Sequence, residues 1–181
     1  LQASAAAEDP GASLQRHWQS LPANFKRDPG LLHTYVELLV DAGAAAAAEK
    51  VILRALKQQW DATLVDLYGR VEGDDPGKQL ANAEAWLSEH PEDPDLLRCL
   101  GRLATREQLW SQARDYFERS AAARPSAETY AELGRLLAAM GDAKASAICF
   151  NQALALVSTP LPAQPKPEKP LPRSHRLSNQ G

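Results

Sequence analysis

Residues 97–125 read LRCLGRLATREQLWSQARDYFERSAAARP, and the spacing of two packed helices is written into them. Leu97, Leu100 and Gly101 fall at the three- and four-residue steps that share one helix face. The glycine removes a side chain where a neighbouring helix must come close. After a turn, Ala113, Phe117 and Ser120 mark the inner face of a second helix, and Pro125 closes the unit. The layout returns downstream as Tyr130, Leu133 and Gly134, then Gly141-Asp142, then Ser146, Phe150 and Ala153. A bulky residue, a glycine and an arginine mark each first helix: Tyr68-Gly69-Arg70, Leu100-Gly101-Arg102 and Leu133-Gly134-Arg135. Their glycines lie 32 and 33 residues apart. A period of that size is the mark of stacked helix pairs.

These units resemble the tetratricopeptide repeat, whose period is roughly 34 residues. The resemblance implies an all-α fold, a right-handed superhelical solenoid of tetratricopeptide helix pairs with a concave inner face. The pattern extends backwards with departures. A first unit carries Leu32, Tyr35, Val36 and Leu39, a turn at Asp41-Ala42-Gly43, then Ala48, Ile52 and Ala55. Val36 stands there where the small residue is expected. A second unit runs from about Thr63 to Pro91, with its turn at 72–77. Its second helix has two registers, one burying Ala81 and Ala85, the other Leu80, Ala83 and Leu87. Leu14, Trp18 and Leu21, ahead of Pro22, form a lone amphipathic helix. The helices expected are 14–21, 30–42, 45–58, 61–71, 77–89, 94–106, 110–122, 127–139 and 143–156. The solenoid thus occupies 14–157, after a linker or disordered N-terminus over 1–13. In 158–181 six prolines stand two or three residues apart from Pro160 to Pro172, which excludes helix and implies a solvated, disordered tail.

Composition agrees with a helical chain and excludes several others. Of the 181 residues, 44% are hydrophobic but only 6% aromatic, because alanine dominates. Alanine fills helix contacts while burying little area. No run of β-branched residues is long enough for a sandwich. The formal net charge of −3 argues against a nucleic-acid partner. No apolar run could span a bilayer. Phosphate-loop, dinucleotide and His-Glu-x-x-His motifs are absent, so no catalytic residue and no enzymatic activity is expected. Cys99 and Cys149, 50 residues apart, make neither a disulfide framework nor a zinc site. Trp18, Trp60, Trp86 and Trp110 fall near helix ends and read as packing wedges.

The candidate site is a row of arginines. In a tetratricopeptide unit the residue after the first-helix glycine faces the groove, and here it is Arg70, Arg102 and Arg135. Arg98 and Arg106 lie one turn either side of Arg102. Such a row suits a carboxylate-bearing partner, an acidic peptide or a protein C-terminus, through bidentate hydrogen bonds. A porphyrin's propionates would satisfy the same geometry. The competing reading is that Asp66, Asp95, Glu107 and Glu128 pair with the row and neutralise it. No metal and no cofactor is expected. His90 or Cys99 could be offered to a haem iron, but no Cys-x-x-Cys-His attachment motif accompanies them.

Three further segments are more specific. Residues 57–61 (KQQWD) followed by Leu64-Val65-x-Leu67-Tyr68-Gly69, His90-Pro91-Glu92-Asp93-Pro94 with residues 100–103 (LGRL), and residues 108–116 (QLWSQARDY) resemble the C-terminal half of HemY proteins. These are inner-membrane tetratricopeptide proteins of proteobacteria linked to late protohaem synthesis, and the likeness covers about 14–156. It implies a non-catalytic scaffold with haem-pathway enzymes as partners. It also implies membrane attachment by N-terminal helices outside this chain, with this domain leaning to the cytoplasmic side of the bacterial inner membrane. A generic tetratricopeptide adaptor in envelope assembly or secretion, and a haem or porphyrin chaperone, are the alternatives.

Overall fold

Aspartates start most of the helices. In a computed structural model, which describes residues 9–158, Asp28, Asp61 and Asp75 accept first-turn backbone N–H groups of α3 (Pro29–Asp41), α5 (Ala62–Arg70) and α6 (Pro76–Ala85). Asp93 and Asp142 do the same for α7 (Pro94–Arg106) and α10 (Ala143–Val157). Ser126 caps α9 (Ala127–Ala139). Each cap satisfies donors that the helix leaves orphaned, and each carboxylate also meets the positive end of a helix dipole. The remaining helices are α1 (Pro10–Ser20), α2 (Ala23–Lys26), α4 (Ala45–Leu56) and α8 (Trp110–Ala123), with a 3-10 turn at Trp86–Ser88. No strand occurs among the described residues.

Four successive helix pairs, α3/α4, α5/α6, α7/α8 and α9/α10, follow α1 and α2. The first helices α3, α5, α7 and α9 are the inner layer. Three links inside these pairs share one hydrogen-bonded turn. At the first, Gly43 adopts φ 72° and its N–H reaches Val40 O at 2.9 Å, while Ala44 N–H reaches Leu39 O at 2.8 Å. Gln108 (φ 59°) with Leu109, and Gly141 (φ 86°) with Asp142, repeat both bonds at 2.9–3.1 Å. This is the Schellman closure, which needs a left-handed residue after the helix. Glycine meets that need at two turns, and Gln108 meets it at the cost of a Cβ clash.

The periodic glycines mark close approaches, as their spacing suggests. A Cβ on Gly101 would lie 2.7 Å from the Phe117 ring, and one on Gly134 would lie 3.1 Å from Phe150. Gly69 differs: its contact is the backbone of Cys99, 2.9 Å from the same hypothetical atom. The second unit therefore packs its first helix against α7 rather than closely against α6. The link after Arg70 explains this, since Val71 is extended and α5 ends without a left-handed residue. Gln79, wholly buried, bridges that link by donating to Val71 O and accepting from Gly73 N–H.

Several differences from the expected elements have local causes. The register of α6 is the one that buries Leu80 and Ala83, leaving Ala81 and Ala85 exposed. The first helix begins at Pro10 instead of 14, because Asp9 caps it and Pro10 suits its first turn. Helix α2, a single turn, carries too few residues to show a period. The linker and tail expectations for 1–8 and 159–181 lie outside the described residues. Among the described residues no helix is long and apolar enough to cross a membrane.

Replacing Gln108 with glycine should relieve the left-handed strain and raise stability by about 0.5–1 kcal/mol in urea unfolding. A lower unfolding midpoint for Gln108→Gly would show that the side chain contributes something the turn geometry does not explain.

Candidate functional site

Helix α7 lies between α5 and α9, so a long side chain on its inner face can touch both neighbours. Arg98 and Arg102 do so. Arg98 Nε donates to Asp66 Oδ1 of α5 at 2.8 Å, and Nη2 donates to Asp95 Oδ1 at 2.9 Å. Its Nη1 faces Thr129 Oγ1 of α9 at 3.5 Å. Arg102 Nη1 donates to Asp66 Oδ1 at 2.8 Å and to the Asp66 carbonyl at 3.0 Å. The other side of its guanidinium forks onto Glu132 of α9, with Nε at 2.8 Å and Nη2 at 2.6 Å. Arg70 approaches the second Asp66 oxygen at 3.0 Å from the solvent side. Arg124 adds an ion pair to Asp95. One carboxylate thus receives three guanidiniums while 8% exposed.

Arg106 is used differently. It donates to Val71 O at 2.7 Å and to Gly69 O at 2.8 Å, closing the C-terminus of α5. Those carbonyls are the negative end of that helix, so a cation there is favourable. Arg135 is exposed, and among the described residues it makes no ion pair or side-chain hydrogen bond.

Four members of the row are therefore engaged inside the fold and one is free. Of the carboxylates named from spacing, Asp66, Asp95 and Glu128 pair with arginines, the last at 3.7–3.8 Å, whereas Glu107 does not. Glu132, the strongest partner of Arg102, is not among those named from spacing. The helical steps of four and three from Glu128 to Glu132 to Arg135 already put it on the groove face.

Burial alone would raise the Asp66 carboxyl, but the guanidiniums of Arg102 and Arg98, with Arg70, outweigh it and hold it below the usual carboxylate range. Burial likewise opposes the charge on Arg102, and Glu132 and Asp66 more than restore it, binding its proton more tightly than usual. Asp66 and Arg102, the centre of the clasp, are consequently both charged at neutral pH.

Beside the clasp lies an open groove of about 760 Å³. Trp110, Phe117, Ala131, Leu136 and Ala139 supply its apolar wall, and Arg70, Arg135 and Glu128 stand in its lining. Trp110, the first residue of α8, is 41% exposed and turned to this groove, so it is not the packing wedge expected of it. The other three tryptophans do pack. Trp18 stacks on Tyr35 with centroids 4.1 Å apart, Trp60 stacks on His90 at 3.7 Å, and Trp86 meets Trp60 edge-on at 5.7 Å. Trp60 also donates to Asp93 at 3.0 Å, which joins the 57–69 segment to the His90–Pro94 segment in space.

The two residues offered for haem iron lie away from the groove. Cys99 is fully buried, and burial pushes its thiol up to about 12. His90 is stacked on Trp60, and neither residue lines the groove. No cluster of His, Cys, Asp and Glu suited to a metal occurs among the described residues.

Solved structures share this architecture. MamA from Desulfovibrio magneticus RS-1 matches with a TM-score of 0.57 and 20% identity, over 81% of this chain and 85% of that one. TTC0263, described as a thermophilic TPR protein of Thermus thermophilus, matches with a TM-score of 0.61 and 16% identity, over 81% of each chain. This chain is an all-α tetratricopeptide solenoid. No protein-family model matches it, and no curated protein matches it in sequence. At such identities the likeness speaks for the solenoid fold alone.

Asp66→Asn should remove the charge that three arginines share and lower stability by about 3 kcal/mol at pH 7. The pH dependence has a fixed sign. A carboxyl held low in the folded state stabilises above its unfolded value, about 4, and that contribution is lost as pH falls through the folded value. Urea unfolding between neutral pH and pH 2 should therefore show a flatter acid limb in the variant. An acid limb of wild-type slope would mean that Asp66 is not the titrating anchor.

Proposed function

We propose that the groove beside α5, α7 and α9 docks an extended protein segment bearing a carboxylate next to an apolar side chain, and that the domain works as a non-catalytic scaffold. The observation that carries this is Arg135, the one cation of the row without a partner among the described residues, set in a wall that contains the exposed Trp110 and the edge of the buried Leu136. An unpaired guanidinium offers a two-pronged donor to a carboxylate, and an aromatic beside it offers area for an aliphatic or aromatic neighbour. The paired arginines hold the groove's shape, so a ligand meets a surface already arranged for it.

The resemblance to HemY adds a partner class. In this reading the scaffold belongs to a protein attached to the bacterial inner membrane through sequence outside this chain, and the docked segment comes from an enzyme of late protohaem synthesis. The support is that the segments around Trp60 and His90, which carry that resemblance, form one packed unit through the Trp60–His90 stack and the Trp60–Asp93 bond. Haem itself is not the ligand of this reading, because neither Cys99 nor His90 reaches the groove.

The test is a titration of the domain with purified late haem-synthesis enzymes and with acidic, leucine-containing peptides, followed by Trp110 fluorescence. Arg135→Glu should weaken binding at least about tenfold, with an unchanged melting temperature because the side chain has no structural partner. Undiminished binding by Arg135→Glu would remove the groove reading. Binding of acidic peptides without any haem-pathway enzyme would keep the groove and overturn the partner class.

A further inference from the structure

The last described helix, α10, is built unlike a surface helix. Its buried face is narrow: Ser146, Cys149 and Ala153 turn inward towards α9. On the opposite face run Ala147, Ile148, Asn151, Leu154 and Ala155, all exposed, with Ile148 51% and Leu154 59% accessible. Lys144 and Ser158 extend this stripe at its two ends. Lys144 is the only charged residue in the helix. An outward-facing solenoid helix ordinarily carries a polar outer face for solubility, and α10, the last helix among the described residues, does not.

The stripe is symmetric about Asn151. Ile148 and Leu154 stand three residues either side of it, Ala147 and Ala155 four, and Lys144 and Ser158 seven. Two copies of α10 crossing antiparallel with Asn151 on the two-fold axis would set Ile148 of each copy against Leu154 of the other, and Ala147 against Ala155. Small alanines beside the larger pair allow the helices to approach closely. Lys144 of each copy would meet the C-terminal carbonyls of the other helix, where the dipole favours a cation. No like charges face one another. The two Asn151 amides can hydrogen-bond across the axis and fix the register, the use made of a lone asparagine in a helical seam.

From this self-complementarity we infer that α10 is a homodimerisation surface, whose occupant is α10 of a second copy in an isologous, antiparallel pair. The inference is independent of the groove, which lies beside α5, α7 and α9. Helix α10 is about 22 Å long, and one crossing of two such helices covers less than the roughly 800 Å² per partner of a standard interface. The dimer is accordingly weak and dissociates on dilution.

Sedimentation equilibrium of the whole 181-residue chain should show a monomer–dimer equilibrium in the micromolar range, weakened on the order of a hundredfold by Ile148→Glu with Leu154→Glu. The decisive variant is Asn151→Cys. Under mild copper–phenanthroline oxidation it should give a disulfide-linked dimer, since residue 151 meets its own copy, and Gln152→Cys on the neighbouring face should not. Cys99 and Cys149 are buried and do not compete. Three results would overturn the inference. One is a monomer at all concentrations without Asn151→Cys crosslinking, as expected if the proline-spaced segment after Ser158 or a different protein covers the stripe. Another is open-ended growth, which would mean that α10 enters the apolar hollow formed by Leu14, Trp18, Leu21 and Leu38 near the other end of the solenoid. The third is equal crosslinking through 151 and 152.

Discussion

A single buried carboxylate, Asp66, organises the inner face of this solenoid. Helices α5, α7 and α9 come from successive repeats, and each repeat touches only its neighbours, so the curvature of the stack depends on what passes between them. Arg98 and Arg102 supply that link by reaching back to Asp66 and forward to Thr129 and Glu132. Ion pairs removed from water repay their desolvation only when geometry is good and the remaining polar atoms are satisfied. Here both conditions hold: no buried side-chain nitrogen or oxygen among the described residues lacks a partner. The clasp also fixes the register of three helices, which apolar contacts among alanines and leucines would leave less sharply defined.

The clasp changes what an arginine row means. Periodic cations on a concave face suggest a binding stripe, but a guanidinium already holding two carboxylates has no donors left in the right direction. Of the five, Arg106 is spent on the end of α5, Arg98 and Arg102 on the clasp, and Arg70 partly on Asp66. In the proposed scaffold reading, recognition then rests on Arg135 and on the apolar wall around Trp110. This division follows from position in the stack: α7 has a neighbour on either side to supply carboxylates, whereas the outward side of α9 has none among the described first helices.

Much of this is legible in the sequence, for definite reasons. The glycines at 69, 101 and 134 reveal the period because close helix contacts tolerate no side chain. The register of α6 stays open in the sequence since alanines at 81, 83 and 85 make both faces look alike, and only the burial of Leu80 and Gln79 separates them. The partner of Gly69 is not legible, because it is set by the extended link at Val71 rather than by the repeat. Spacing places the arginines on the correct face, yet their pairing depends on distances between repeats, which no intrahelical spacing encodes. Glu132 is the example: its partner, Arg102, lies 30 residues away. Trp110 looks like a helix-end wedge for the same reason, since the space it faces exists only once α7 and α9 are in place.

The most direct measurement of the central claim is a double-mutant cycle between Asp66 and Arg102, using Asp66→Asn and Arg102→Gln in urea unfolding at neutral pH. Groups that share a buried, satisfied network couple by about 1.5–3 kcal/mol, and a coupling in that range is the expected result. A coupling near zero, with the two single losses simply adding, would contradict the clasp as the element that holds successive repeats in register.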